Sequence, residues 1–124
     1  MLQAVSPLAL AARIDEYFSP RVIAELDNNY VKLAKLKGTF GWHAHEHEDE
    51  LFMVIQGRLR IDTEHGSVQL EAGELYVVPK GVRHTPVADQ ECVILLIEQK
   101  QTTHSGNEAN AYTRSIADQL RSLD

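Results

Sequence analysis

The sequence predicts a single all-β domain, a sandwich or barrel with a short helical segment at each end. Three observations carry this reading. Turn signals built from Gly, Pro, Asn and Asp recur roughly every 8–12 residues through the middle of the chain, the spacing of a sandwich or barrel. The segments between them are rich in aliphatic and β-branched residues, and some alternate apolar with polar side chains, the period of a strand. The length of 124 residues suits one domain with one core.

Ser6-Pro7 is a helix start, a hydroxyl cap followed by proline at the first helical position. Leu8, Ala11, Ala12, Ile14 and Phe18 supply an apolar stripe, and Ser19-Pro20 stops the helix, giving an expected helical segment within residues 1–18. "RVIAEL" and "YVKLAKLKG" flank "DNN" and read as a hairpin. "LFMVIQG" and "RLRIDT" follow, then "EHG", where Gly66 is free to take a positive φ. "SVQLEAG", "ELYVVPKG" and "CVILLIEQK" complete a barrel expected over residues 21–100. From residue 101 to 124 the composition is that of a polar tail, closed by a short helix with Ile116, Leu120 and Leu123 at helical spacing. "RLRIDT" and "SVQLEA" have one wet face, whereas "LFMVI", "LYVV" and "VILLI" are apolar on both. A barrel has one interior, so the outer apolar faces need a cover. The N-terminal helix and a second copy of the chain are the expected covers, which makes a homodimer the expected assembly.

The formal net charge of -6 argues against an electrostatic grip on nucleic acid or an anionic membrane. Cys92 is the only cysteine, so neither an intrachain disulfide nor a thiolate zinc cluster is available. The longest apolar runs fall short of the roughly 18 residues that span a bilayer. The N-terminal stretch lacks a basic start and is interrupted by Arg13, Asp15 and Glu16, unlike a signal peptide. A cytoplasmic location is the expectation.

The chemistry concentrates in "HAHEHEDELF". In a strand, residues i and i+2 point to one side, so His43 and His45 project together, and neutral imidazoles on one face are good ligands for a first-row divalent metal. Glu50 opens the next apolar run and offers a carboxylate as a third ligand. His84 follows the tight turn of Pro79 and Gly81. If its segment pairs near the first, it completes a set of three histidines and one carboxylate, suited to one ion of manganese, iron, nickel, cobalt or zinc. Period two puts Phe52 and Val54 on the Glu50 face, and Tyr76 and Val78 on the face expected to hold His84. These four are the pocket candidates, and the Tyr76 phenol is a candidate catalytic group.

The order and spacing of these residues resemble the two motifs of the cupins. The first motif of that superfamily is matched by His43-x-His45, four residues, Glu50, six residues and Gly57, with Gly38 one residue closer than usual. The second is matched by Gly73, five residues, Pro79-x-Gly81, two residues and His84, with Ala88 where asparagine is usual. Nearly the whole chain is similar to small single-domain bacterial cupins, which often carry a mannose-6-phosphate-isomerase-like label. Nothing in the sequence marks a sugar-phosphate site. The resemblance implies a six- to ten-stranded antiparallel barrel or jelly roll over residues 1–124, with His43, His45, Glu50 and His84 as metal ligands inside it. It implies either an enzyme acting on a small oxygen-bearing molecule, such as a dioxygenase, isomerase, lyase or decarboxylase, or a non-catalytic binding or sensing module using the same pocket.

The remaining polar residues have plainer readings. His47 is expected in the turn at the rim rather than among the ligands, and Glu46, Glu48 and Asp49 in a solvated acidic turn. His65 in its hairpin and His104 in the tail are expected to face solvent. Trp42 is expected to pack, Lys32, Lys35 and Lys37 to lie on ordinary strand faces, and Cys92 to be a buried structural thiol.

Overall fold

The structure, a computed structural model, describes residues 3–124. In chain order its elements are α1 (Pro7–Ala11), β1 (Arg21–Leu26), β2 (Asn29–Thr39), β3 (Glu50–Gln56), β4 (Arg58–Thr63), β5 (Gly66–Glu71), β6 (Leu75–Val78), β7 (His84–Gln99) and α2 (Ile116–Gln119). All strand pairings are antiparallel. The architecture is thus the jelly roll that the sequence predicts, with a short helix at each end. Among the described residues no helix is long and apolar enough to cross a membrane.

The strand β7 organises the molecule. Its second half pairs with β2 on one side and β3 on the other, giving the order β1-β2-β7-β3-β6. Its first half, from His84 to Val87, pairs with β4, which in turn pairs with β5. One continuous strand therefore spans both layers, where the sequence suggested a separate strand starting near Cys92. Register shifts between Leu36 and Gly38 on β2, and between Val54 and Gln56 on β3, accommodate the bend. Gly57 sits at this bend with φ 84°, and a Cβ there would lie 2.9 Å from the Glu91 carbonyl oxygen.

The alternation of side chains divides the core in two. Ala34, Leu36, Phe52, Val54, Leu59, Ile61, Val78, Ile94 and Leu96 fill the interior between the layers. Leu33 and Val93 point outward and are covered by Ala11 and Ile14, with Leu10 and Leu123 beside them. Cys92 is buried in the interior, and burial pushes its thiol up to about 11, so it is a packing group as expected.

Both ends depart from expectation. The helix α1 is capped by Ser6, whose hydroxyl accepts from the Ala9 amide, but it ends at Ala11 rather than near Phe18. The chain leaves the helix to extend the sheet edge: Tyr17 bridges Lys35, the Phe18 amide donates to the Lys35 carbonyl at 2.9 Å, and the Lys35 ammonium donates to the Ile14 carbonyl. Phe18, at φ 56°, turns its ring away from Ile14 and into the interior. In the tail, α2 buries Gln119 and leaves Leu120 exposed, so the expected apolar stripe holds only through Leu123. The Gln119 amide donates to the Arg114 carbonyl at 3.0 Å, which ties the helix to the loop before it.

Candidate metal centre

The first half of the site comes from an extended segment rather than a strand proper. After β2 ends at Thr39, His43 forms a single antiparallel bridge with His84: each residue's amide donates to the other's carbonyl, at 3.0 and 2.8 Å. The Gly81 amide donates to the His45 carbonyl at 2.8 Å. The alternation of a strand therefore persists, and His43 and His45 both turn inward. Glu50 starts β3, opposite Val78 on β6, and His84 starts β7, opposite Thr63 on β4. The tight turn at Gly81 brings the two segments together.

Four buried side chains, His43, His45, Glu50 and His84, each offer one donor atom, and these atoms lie within 4.8 Å of one another. That is close to the span of two opposed metal–ligand bonds of about 2.1 Å. The tautomers are preset by the backbone. His43 Nδ1 lies 2.9 Å from the Gly41 carbonyl and His84 Nδ1 2.9 Å from the Val82 carbonyl. A carbonyl only accepts, so both Nδ1 atoms carry hydrogen and Nε2 is the atom left for a metal, the usual support of a ligating histidine. His84 Nε2 lies 3.1 Å from Glu50 Oε1, and a cation, proton or metal, must stand between two such atoms. His45 has both ring nitrogens buried without a hydrogen-bond partner among the described residues, its Nε2 being 3.5 Å from Glu50 Oε1. An orphaned imidazole nitrogen facing a carboxylate costs desolvation energy and is what a shared metal would satisfy. The residues present fit a divalent ion.

The electrostatics agree. Burial would raise Glu50, but the close approach of the His45 and His84 rings outweighs it and holds the carboxyl well below its ordinary value. Burial, helped by the neighbouring His84, lowers His43 to about 4, so it is a neutral ligand at pH 7. For His45 burial works in the lowering direction, but the contact and charge of Glu50 dominate and raise it.

Two features of the site had no clear signal in the sequence. Lys32 is not on an ordinary face: it is buried in the interior, 2.9 Å from an equally buried Glu98. Burial and the adjacent Glu50 charge push Glu98 well up, against the pull of Lys32. Lys32 shares its parity with Ala34 and Leu36, and Glu98 with Ile94 and Leu96. Because β2 carries lysines and apolar residues on both faces and the "VILLI" run of β7 is apolar on both, parity alone did not say which face was the interior. The second feature is His104, expected in solvent but part of the wall of the cavity that opens beside His43 and Glu50. Its place depends on the tail folding back, which no local pattern encodes.

That cavity is apolar apart from His43, Glu50 and His104, being walled by side chains such as Phe18, Phe40, Phe52 and Leu96. It leaves about 30 Å³ for the centres of water-sized molecules, where one water needs roughly 10–15 Å³. Of the four pocket candidates, Phe52 lines it. Val54 and Val78 are buried in the core beneath, and Tyr76 packs half-buried against that core, outside the cavity wall. His47 and His65 are exposed, as expected, and Trp42 is 44% exposed instead of packed. Asp49 caps the turn at Lys80, whose amide it accepts at 2.9 Å.

Residues 29–98, more than half of the chain, match the model of a family described as the cupin domain. The chain is 35% identical over 95 residues to the uncharacterized protein YdbB of Bacillus subtilis (strain 168), covering 76% of this chain and 84% of that one. Among the similar solved structures, two share at least 33% of their residues with this chain. A cupin-2 domain containing protein from Shewanella frigidimarina NCIMB 400 is 45% identical, with a TM-score of 0.69 over 71% of this chain and 86% of that one. Protein NMB1881 from Neisseria meningitidis is 33% identical, with a TM-score of 0.71 over 78% and 99%. With the jelly roll, the paired motifs and these relatives in agreement, the chain belongs to the cupin domain family.

Proposed function

We propose that this cupin binds one divalent metal ion through His43, His45, Glu50 and His84, and that the ion and the cavity beside it take up a small oxygen-bearing molecule. The convergence of four buried donors within 4.8 Å, two of them with tautomers fixed by backbone carbonyls, supports this reading above any other observation. Manganese, iron, cobalt, nickel and zinc all suit a donor set of three imidazoles and one carboxylate. A bound ion would supply Lewis acidity and an open coordination position. The protein's own part is to present Nε2 atoms, to keep Glu50 ionised and to exclude water with an apolar wall. Lys32 and Glu98 form a buried pair beside Glu50.

The test is metal content after purification without chelators, followed by titration with each of the five metals. The wild type is expected to take up about one ion per chain. His84→Ala should lose most of it, and His47→Ala should keep it. Wild-type protein that takes up none of the five overturns the reading.

We also propose that the chain forms a homodimer. Val31, Leu51, Met53, Leu75, Val77, Leu95 and Ile97 share the outer face of the β2-β7-β3-β6 layer, where Leu75 is 55% and Val77 40% exposed. The helix α1 and Leu123 cover only the neighbouring part of that face, around Leu33 and Val93, and a second copy would cover the rest.

A further inference from the structure

The cavity wall contains one polar group that comes from the tail and belongs to neither cupin motif. His104 packs against Phe40 in a tilted arrangement with ring centroids 4.7 Å apart, and Phe40 in turn meets the His43 ring edge to face at 5.1 Å. The Arg114 amide donates to His104 Nδ1 at 2.8 Å. An amide only donates, so Nδ1 is the unprotonated nitrogen and the neutral ring carries its hydrogen on Nε2. Among the described residues nothing bonds that Nε2. Burial lowers the ring to about 4, which keeps it in this neutral form at pH 7.

The loop holding His104 is fastened at several points. Gly106, at φ 60°, packs so closely on the Ala44 carbonyl that a Cβ would overlap it. Asn110 donates its side-chain amide to the Phe40 carbonyl at 3.2 Å, and Arg83 donates to Glu108 at 2.6 Å. Ser105 is buried and bonded to Thr113. The tail thus holds His104 in the wall of the cavity that His43 and Glu50 also line.

We propose that His104 is a ligand-binding residue whose Nε2–H donates a hydrogen bond to an oxygen of the molecule held in the cavity. The molecule it selects is small and otherwise apolar, and it presents an oxygen acceptor, carboxylate or carbonyl, toward the metal side. The proposal rests on the metal-binding reading above, and it adds a requirement that the four metal ligands do not impose.

The test uses full-length protein loaded with cobalt(II), with acetate as the probe: two oxygen acceptors on one methyl group. Cobalt content is measured directly, and acetate affinity is read from the visible absorption of the cobalt at fixed ionic strength. His104→Phe keeps an aromatic ring against Phe40 and removes the donor, whereas His104→Gln keeps an N–H donor near the Nε2 position. His104→Phe should carry full cobalt and bind acetate about tenfold more weakly, the loss of roughly one hydrogen bond. His104→Gln should bind it within about threefold of wild type. The proposal is overturned if His104→Phe binds acetate as wild type does, if both variants weaken equally, or if His104→Phe loses its cobalt, which would make His104 a support of the metal and not of the ligand. Wild-type protein that takes up no cobalt overturns the metal reading itself, and this proposal with it. Full cobalt in all three proteins isolates the role of His104.

Discussion

At the scale of single residues, the histidines are distinguished by what each ring nitrogen touches. His43 and His104 are both held at about 4 by burial, below the 6.5 of an unfolded histidine. Between these values the unfolded chain binds protons that the folded chain refuses, so folding stability falls as pH drops from 6.5 toward 4. Each ring accounts for on the order of 3 kcal/mol over that window. His45 is raised and works in the opposite sense, contributing below 6.5 and losing its contribution as pH rises through its folded value. Glu50 is depressed, and its contribution is lost only as pH falls below the ordinary carboxyl range. His45 and the raised Glu98 work against the two lowered rings, so the pH dependence is read by difference: in denaturant unfolding of the metal-free protein, His104→Phe should lose less stability than wild type between pH 7 and pH 4.5. The same pH dependence in His104→Phe and wild type would contradict the burial of the His104 ring. The candidate ligands were readable from the sequence because the alternation of His43 and His45 survives in an extended segment that is not a full strand. His104 was not readable, because a polar tail carries no period that says where it returns.

At the scale of elements, the pair joining β2 to β7 is the most exposed to test. Lys32 and Glu98 are 1% and 4% accessible in their side chains. Removing one member leaves a buried charge without its partner, so Glu98→Leu should cost about 3–5 kcal/mol, and Lys32→Met with Glu98→Leu should recover most of it. Urea unfolding of the single and double variants measures this. A single variant as stable as wild type would mean that Lys32 reaches solvent. The N-terminal element makes a second prediction. Ile14 is 6% exposed and packs with Leu33 and Val93, so Ile14→Ala should cost about 2–5 kcal/mol, and deletion of residues 1–18 should lower the melting temperature further. An unchanged melting temperature in both would show that the segment is not part of the fold. The strands were legible from their periods and turns, as at Gly66, which takes φ 131°. The length of α1 was not: a helical stripe through Phe18 competes with the sheet edge at Lys35, and that long-range pairing wins.

At the scale of the whole molecule, the jelly roll was legible because turn spacing and the two motifs pointed to the same architecture. That β7 runs unbroken through both layers was not, since the last apolar run begins only at Cys92 and read as a strand of its own. The uncovered outer face predicts a dimer in sedimentation at micromolar concentrations, and Leu75→Glu should shift it to monomer without changing metal content. A wild-type monomer throughout that range would mean that the face stays open to water. The central claim, that this cupin holds a metal among His43, His45, Glu50 and His84, is tested most directly by anomalous diffraction from crystals of the metal-loaded protein. The account predicts a single peak at bonding distance from the Nε2 atoms of all three histidines and from Glu50, at about 2.0–2.2 Å, with His47 apart from it. A peak bonded to His47 and not to His43, or no peak at the four donors in protein loaded with any of the five metals, would contradict it.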